Sequence, residues 1–113
     1  GAALAAGWQV LHAGGSALDA VCVAVRILED CPVFNAGTGS CLTADGRVEM
    51  DASVAEGTTL RAGAVALVTR TRHPVAIARG LLDRGGTVFL AGDAADAWAH
   101  AHGLAPCTQE DLI

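Results

Sequence analysis

Lysine is absent from this chain of 113 residues: its seven basic groups are all arginines, set against twelve acids for a net charge of −5. Such a balance argues against nucleic acid or an anionic membrane as partner, because both are gripped by positive charge that releases counterions. Long apolar runs are missing too. The stretch 13–25 is interrupted by Asp19 and is shorter than the ~20 residues a bilayer helix needs. Neither a basic start nor a methionine opens the chain, so no signal peptide is expected. Cys22, Cys31, Cys41 and Cys107 form no CxxC pair, which argues against a zinc site. With nothing else suggesting secretion, they are expected as reduced thiols in a cytoplasm, each a small buried hydrophobe. What the chain does have is apolar content, 52% against 17% charged. That excludes disorder, and a single domain with a real core is the expectation.

Residues 1–13 are alanine-rich with Leu4, Trp8 and Leu11 at helical spacing and Gly14-Gly15 as a stop, which predicts a helix; Trp8 here and Trp98 on a later helix are expected to face a core. Ser16 and Asp19 form a capping-box pattern before a second helix. That helix should be buried on most sides, since only Asp19 and Arg26 are polar between Ala17 and Leu28. Residues 31–39 read as a loop. Short strands are expected at 40–43 and 47–52, joined by a turn at Ala44-Asp45-Gly46, then a buried strand at 62–69. A helix starts at His73-Pro74 and stops at Gly85-Gly86, followed by a short strand at 87–90 and a helix over 94–102. The tail from Ala105 shows no core pattern. The element order α-α-β-β-β-α-β-α, with strands mostly adjacent and antiparallel, predicts an α+β layered domain rather than a doubly wound parallel sheet.

Few residues offer chemistry. The segment Asn35-Ala-Gly37-Thr-Gly39-Ser40 is glycine-rich, but it lies in the order helix, loop, strand and lacks a Walker lysine, which argues against a phosphate loop. Its carbonyls need partners, so the choice lies between water and a hard cation. His100 and His102 are two apart on a helix and cannot face one ligand together. His12 and His73 sit at helix ends as caps or surface residues. Asp51, on an otherwise apolar strand, is expected to pair with an arginine. No nucleophile–base pair emerges from these residues alone.

The order of several longer motifs is more specific. GGSALDAV (14–21), LEDCPVFNAGTGS (28–40), LTADGRVEMDAS (42–53), LRAGAVALV (60–68), HPVAIAR (73–79) and VFLAGDAADAWAHAHGL (88–104) together resemble the α-subunit of the isoaspartyl peptidase/L-asparaginase family, the plant-type asparaginases among the N-terminal nucleophile hydrolases. The resemblance implies a partial αββα sandwich, two antiparallel sheets between helical layers. Residues 1–113 would then be one incomplete domain, without the family's first strand and without the β-subunit.

The same resemblance implies an enzyme that cuts itself before a threonine. The freed threonine heads the β-subunit, uses its own amine as base, and hydrolyses the side-chain amide of L-asparagine or the isopeptide bond of β-aspartyl dipeptides. That threonine is expected outside these residues. Thr87 is followed by Val-Phe-Leu rather than the family's Val-Gly-Ala and is not assigned as nucleophile, so this chain alone is expected to be inactive. Its contribution would be support: a sodium ion on the main-chain carbonyls of Leu28, Glu29, Cys31, Phe34, Ala36 and Thr38, in a loop that places Asn35 beside the nucleophile. No organic cofactor is implied. The expected partners are the chain's own β-subunit, a small-molecule substrate, and a second αβ unit in an (αβ)2 dimer. The alternative is a catalytically silent product. Ala55 and Cys22 depart from the common methionine and glutamate of the family, outside the loop.

Overall fold

The computed structural model describes all 113 residues as a mixed α+β arrangement of five helices and one three-stranded sheet. Helix α1 (Ala2–His12) packs on α2 (Ala17–Asp30), whose first turn is capped by Ser16 Oγ accepting from Asp19 N at 3.0 Å. The Asp19 carboxylate also pairs with Arg79 at 2.8 Å. The close approach of α1 and α2 centres on Gly7, the one buried residue of α1. Trp8, expected in a core, is 61% exposed, because α1 has only α2 beside it. Helix α2 likewise buries Leu18, Ala20, Cys22 and Glu29 rather than most of its circumference.

The sheet consists of β1 (Met50–Glu56), β2 (Arg61–Val68) and β3 (Phe89–Ala91), in that spatial order. β1 and β2 pair antiparallel, whereas β3 runs parallel to β2. The parallel pair is joined by α3 (Pro74–Arg84), a crossover of the length parallel neighbours require. Residues 40–43 are not a strand, contrary to expectation. Thr43 instead closes a tight turn, its N–H donating to Arg47 O at 2.7 Å and its Oγ1 accepting from Arg47 N at 3.2 Å. Pairing is thus exhausted within the turn. The observed order is α-α-β-β-α-β-α-α, with α4 (Asp93–Ala101) and α5 (Gln109–Leu112) at the end.

Helix α5 is the second departure, since the tail carries no periodic apolar signal. Its order comes from caps and one anchor. Thr108 and Asp111 form a reciprocal capping box, and Leu112 is fully buried. Gln109 replaces a missing strand partner: its amide donates to Val48 O (2.9 Å) and Thr69 O (3.0 Å) and accepts from Val48 N (2.7 Å).

Helix α3 is where the two apolar clusters meet. Ile77 and Leu81 face Val48, Met50, Val65, Val68, Ala95, Ala99 and Leu112; Val75, Ala78 and Leu82 face Leu18, Cys22 and Val54. The helix lies so close to β2 that a Cβ on Gly63 would collide with the carbonyl oxygen of Ala78. Cys22 and Cys107 are buried as expected of small hydrophobes; Cys41 is exposed and Cys31 half-buried, and all four thiols are free.

Candidate functional site

The loop between α2 and β1 is shaped by collisions that only glycine avoids. Gly37 has φ +54°, and a Cβ there would strike the backbone oxygen of Glu29; Gly39 has φ +94°, and a Cβ would strike Pro32 O. L-residues pay steric energy at such angles. The loop is closed onto the last turn of α2 by Thr38 N donating to Glu29 O (2.8 Å), and onto the tail by Gly39 N donating to Leu112 O (2.9 Å).

Between this loop, β1 and the start of α3 lies a cavity of about 350 Å³, lined in part by Glu29, Asn35, Ser40, Glu49, Asp51 and Ser53. Asn35 is exposed, and its Oδ1 accepts from Cys41 N at 2.7 Å. An N–H can only pair with the oxygen end of the amide, so the bond assigns the rotamer and leaves the Asn35 NH₂ as a free donor.

Glu29 is the buried charge of the site, 3% exposed. Its Oε2 accepts from Val75 N at 3.1 Å, so the carboxyl caps the first turn of α3 from a neighbouring helix. Its Oε1 is equally buried and accepts no hydrogen bond. Burial pushes the carboxyl up to about 7, against the opposing pull of the Val75 amide; Asp30 adds to the rise and Arg26 offsets part of it. Next to it, Asp30 Oδ1 meets His73 Nε2 at 2.7 Å. The expectation for Glu29 concerned only its carbonyl. One signal of the side chain was in the sequence: Glu29 and Asp30 end a helix whose last turn holds no base, the wrong sign for the helix dipole.

The six carbonyls expected around sodium fall into two groups. Leu28 O, Cys31 O and Glu29 O each accept one backbone N–H, from Cys31, Phe34 and Thr38. Phe34 O, Ala36 O and Thr38 O accept none. A carbonyl has two lone pairs, so oxygens of both groups retain capacity for a hard cation. No cluster of three or more histidine, cysteine or acidic side chains could hold a metal.

Asp51 corrects its expected role. It is exposed and pairs with no arginine; its Oδ1 accepts from Leu67 N at 3.0 Å. Leu67 has φ +56° and lies where the β1–β2 register slips, so Asp51 caps an N–H that the bulge removes from the ladder. Elsewhere, Thr71, His100 and Asp96 converge, but not as a nucleophile and base. Thr71 is fully buried and donates to Asp96 Oδ1 at 2.7 Å, while His100 Nε2 lies 2.9 Å from Arg70 O and must carry its proton there. Asp96 also accepts from Thr69 N and Arg70 N. His102 stacks on Trp98 and His12 on Trp8. Thr87 is exposed, outside any helix or strand.

A glycine-shaped loop thus presents a free amide donor beside a buried acid. The family model described as asparaginase matches residues 1–113, and the chain belongs to that family. It is 50% identical over 99 residues to an isoaspartyl peptidase of Salmonella typhimurium, covering 88% of this chain and 32% of that protein. It is 48% identical over 111 residues to a plant-type L-asparaginase of Pyrococcus abyssi, covering 96% and 36%. It is 47% identical over 107 residues to an isoaspartyl peptidase/L-asparaginase of Rattus norvegicus, covering 95% and 32%. The chain therefore spans about a third of the length of the curated relatives it matches. No helix is long and apolar enough to cross a membrane.

Proposed function

We propose that this chain is the α-region of an amidohydrolase that cleaves the side-chain amide of L-asparagine or the isopeptide bond of β-aspartyl dipeptides. One observation carries the reading: relatives bearing both activities in their names match nearly all of the chain at about half identity, and the match includes the loop that presents Asn35. The nucleophile is a threonine outside these 113 residues, freed by self-cleavage at the head of a β-subunit. Its amine is the base. The second sheet of an αββα sandwich comes from the same remainder, and two αβ units pair in a cytoplasmic dimer.

Within this reading the chain supplies position rather than bond breaking. With its oxygen tied to Cys41 N, the Asn35 amide would have its NH₂ free to donate to the reacting side chain. Holding such a donor within a fraction of an ångström is worth up to ~10²-fold in rate. A sodium ion on the carbonyls of Leu28, Glu29, Cys31, Phe34, Ala36 and Thr38 would stiffen the loop, and the three carbonyls without hydrogen bonds support that assignment.

The test is ammonia release from L-asparagine and cleavage of a β-aspartyl dipeptide by the full-length protein. Turnover of either, slowed about 10²-fold in Asn35→Ala with the fold intact, is the expected result. Absence of both activities from a self-cleaved protein would favour the catalytically silent alternative.

A further inference from the structure

The helices and the strands of this molecule end together on one side and not on the other. On the β3 side, α4 lies against β2 and β3, so helical layer and sheet stop at the same edge. On the β1 side the helices run on. Helix α3 covers β1 and β2, α2 meets the sheet at β1, and α1, whose one substantial neighbour is α2, has no strand beneath it. Packed helices lie about 8–10 Å apart and paired strands about 4.8 Å, so α1 and the outer half of α2 overhang room for about two or three strands. β1 pairs with β2 alone, and its outer edge offers a row of unpaired N–H and C=O groups.

The overhanging face is apolar. On α2, Asp19, Arg26 and Asp30 share one arc, and at 3.6 residues per turn Val21 falls on the opposite one. Val21 borders a depression of about 500 Å³ with Ala55 and Glu56 at the end of β1, which marks that arc as the sheet side. Gly7 of α1 rests on Ala20 and Ala24 of α2, and the short link 13–16 makes the two helices antiparallel. Leu4, Trp8 and Leu11 lie a quarter-turn from Gly7, on the same side as Val21. All four are half or more exposed. α1 carries no acid, lysine or arginine, and a helix uncharged around its circumference belongs in an interior. We infer that the sheet continues past β1, with about two or three strands pairing in succession on its free edge and turning aliphatic side chains up to Val21, Leu4, Trp8 and Leu11. The strands come from the remainder of the same polypeptide, since relatives are about three times as long as this chain. A second copy docked antiparallel on β1 would drive its own overhanging α1 and α2 into the same space. The inference rests on the amidohydrolase reading for that remainder and not for what it catalyses.

The test is hydroxyl-radical footprinting and amide exchange on the full-length, unsubstituted protein, each compared with its urea-unfolded state. Leu4, Trp8 and Leu11 should be oxidised at least about tenfold more slowly than in the unfolded chain, and every β1 amide, including those β2 leaves unpaired, should exchange at least about 10²-fold more slowly. Measured at two concentrations about a hundredfold apart, both protections should be unchanged, because cover by the same chain does not follow mass action. Slowing of less than about twofold at Trp8 leaves α1 bare and overturns the inference. Protection that fades on dilution overturns it in favour of a second copy. Protection at Trp8 with alternate β1 amides open puts something other than a strand there, and overturns it too. A paired substitution sharpens the result: Leu4→Asp should lower the Tm of the full-length protein by about 10 °C, and Gln9→Asp, on the opposite arc of α1, by less than about 2 °C. Equal shifts overturn the inference, and should Leu4→Asp fail to fold, the footprint of the unsubstituted protein decides. No arm involves turnover, so a missing sheet and a silent enzyme are told apart.

Discussion

Helices α1 and α3 are both 11 residues long, and both carry apolar side chains at helical spacing. Yet α1 buries only Gly7, whereas α3 buries Pro74, Val75, Ile77, Ala78, Leu81 and Leu82. Leu4 of α1 is 77% exposed and Ile77 of α3 fully buried. Local pattern is thus equal in kind and opposite in outcome. The difference is the number of neighbours: α3 lies against β1, β2, α2 and α4, while α1 touches α2. An amphipathic stripe says that a face wants covering, and only the surrounding elements say whether it is covered.

The contrast can be broken most sharply at Ile77. Ile77→Ala should cost about 4 kcal/mol, since it opens a cavity in the larger apolar cluster; chemical denaturation would read it as a lower midpoint at unchanged slope. A cost below about 1 kcal/mol would mean that α3 is not the central element. Asp96→Ala comes next, at about 3 kcal/mol. It orphans Thr69 N, Arg70 N and the Thr71 hydroxyl at the end of β2, and Asp96→Asn should recover part of the loss in the same measurement.

Thr108→Ala should remove about 1 kcal/mol by uncapping α5. Its partner Asp111 is held below the ordinary carboxyl value of 3.8 by the Thr108 N–H and then by the Thr108 hydroxyl. The folded value is the lower one, so this contribution is complete above about pH 3.8 and is lost as pH falls through the folded value. Amide exchange at Leu112 across an acid titration should show the tail loosening there, and Asp111→Asn should flatten that step. The smallest effect belongs to α1. Leu4→Ala in this chain should change stability by less than about 0.5 kcal/mol, as an exposed site does. A loss severalfold larger in the full-length protein would show that the other two-thirds of the molecule covers this face.

Much of the scaffold was legible residue by residue. Ser16 announced the start of α2, Pro74 that of α3, and Gly85 its end, because caps and breakers act through the local backbone. The two missed elements failed for the opposite reason. Residues 40–43 have strand-like composition but find no ladder partner, and α5 is held by Gln109 and Leu112 reaching residues about 40 to 60 positions away. Asp51 reads as a buried acid in need of an arginine, and it is instead the cap of a bulge at Leu67 that no spacing rule foretells.

The candidate site divides along the same line. Asn35, Gly37 and Gly39 stand out in the sequence because a loop of that shape demands glycine and because the motif around them resembles a known family. The Glu29 carboxyl does not stand out, since its burial, its bond to Val75 and its unpaired oxygen arise only when α2, the loop and α3 close on one another. By itself, then, the sequence determined the family, the boundaries of helices α1 to α4 and the glycines of the loop, the last two set by short-range sterics and hydrogen bonding. Tertiary structure alone decided which apolar faces are covered, which strand is parallel, and where a charge is left without a partner, because those depend on groups distant in the chain meeting in a medium from which water is excluded.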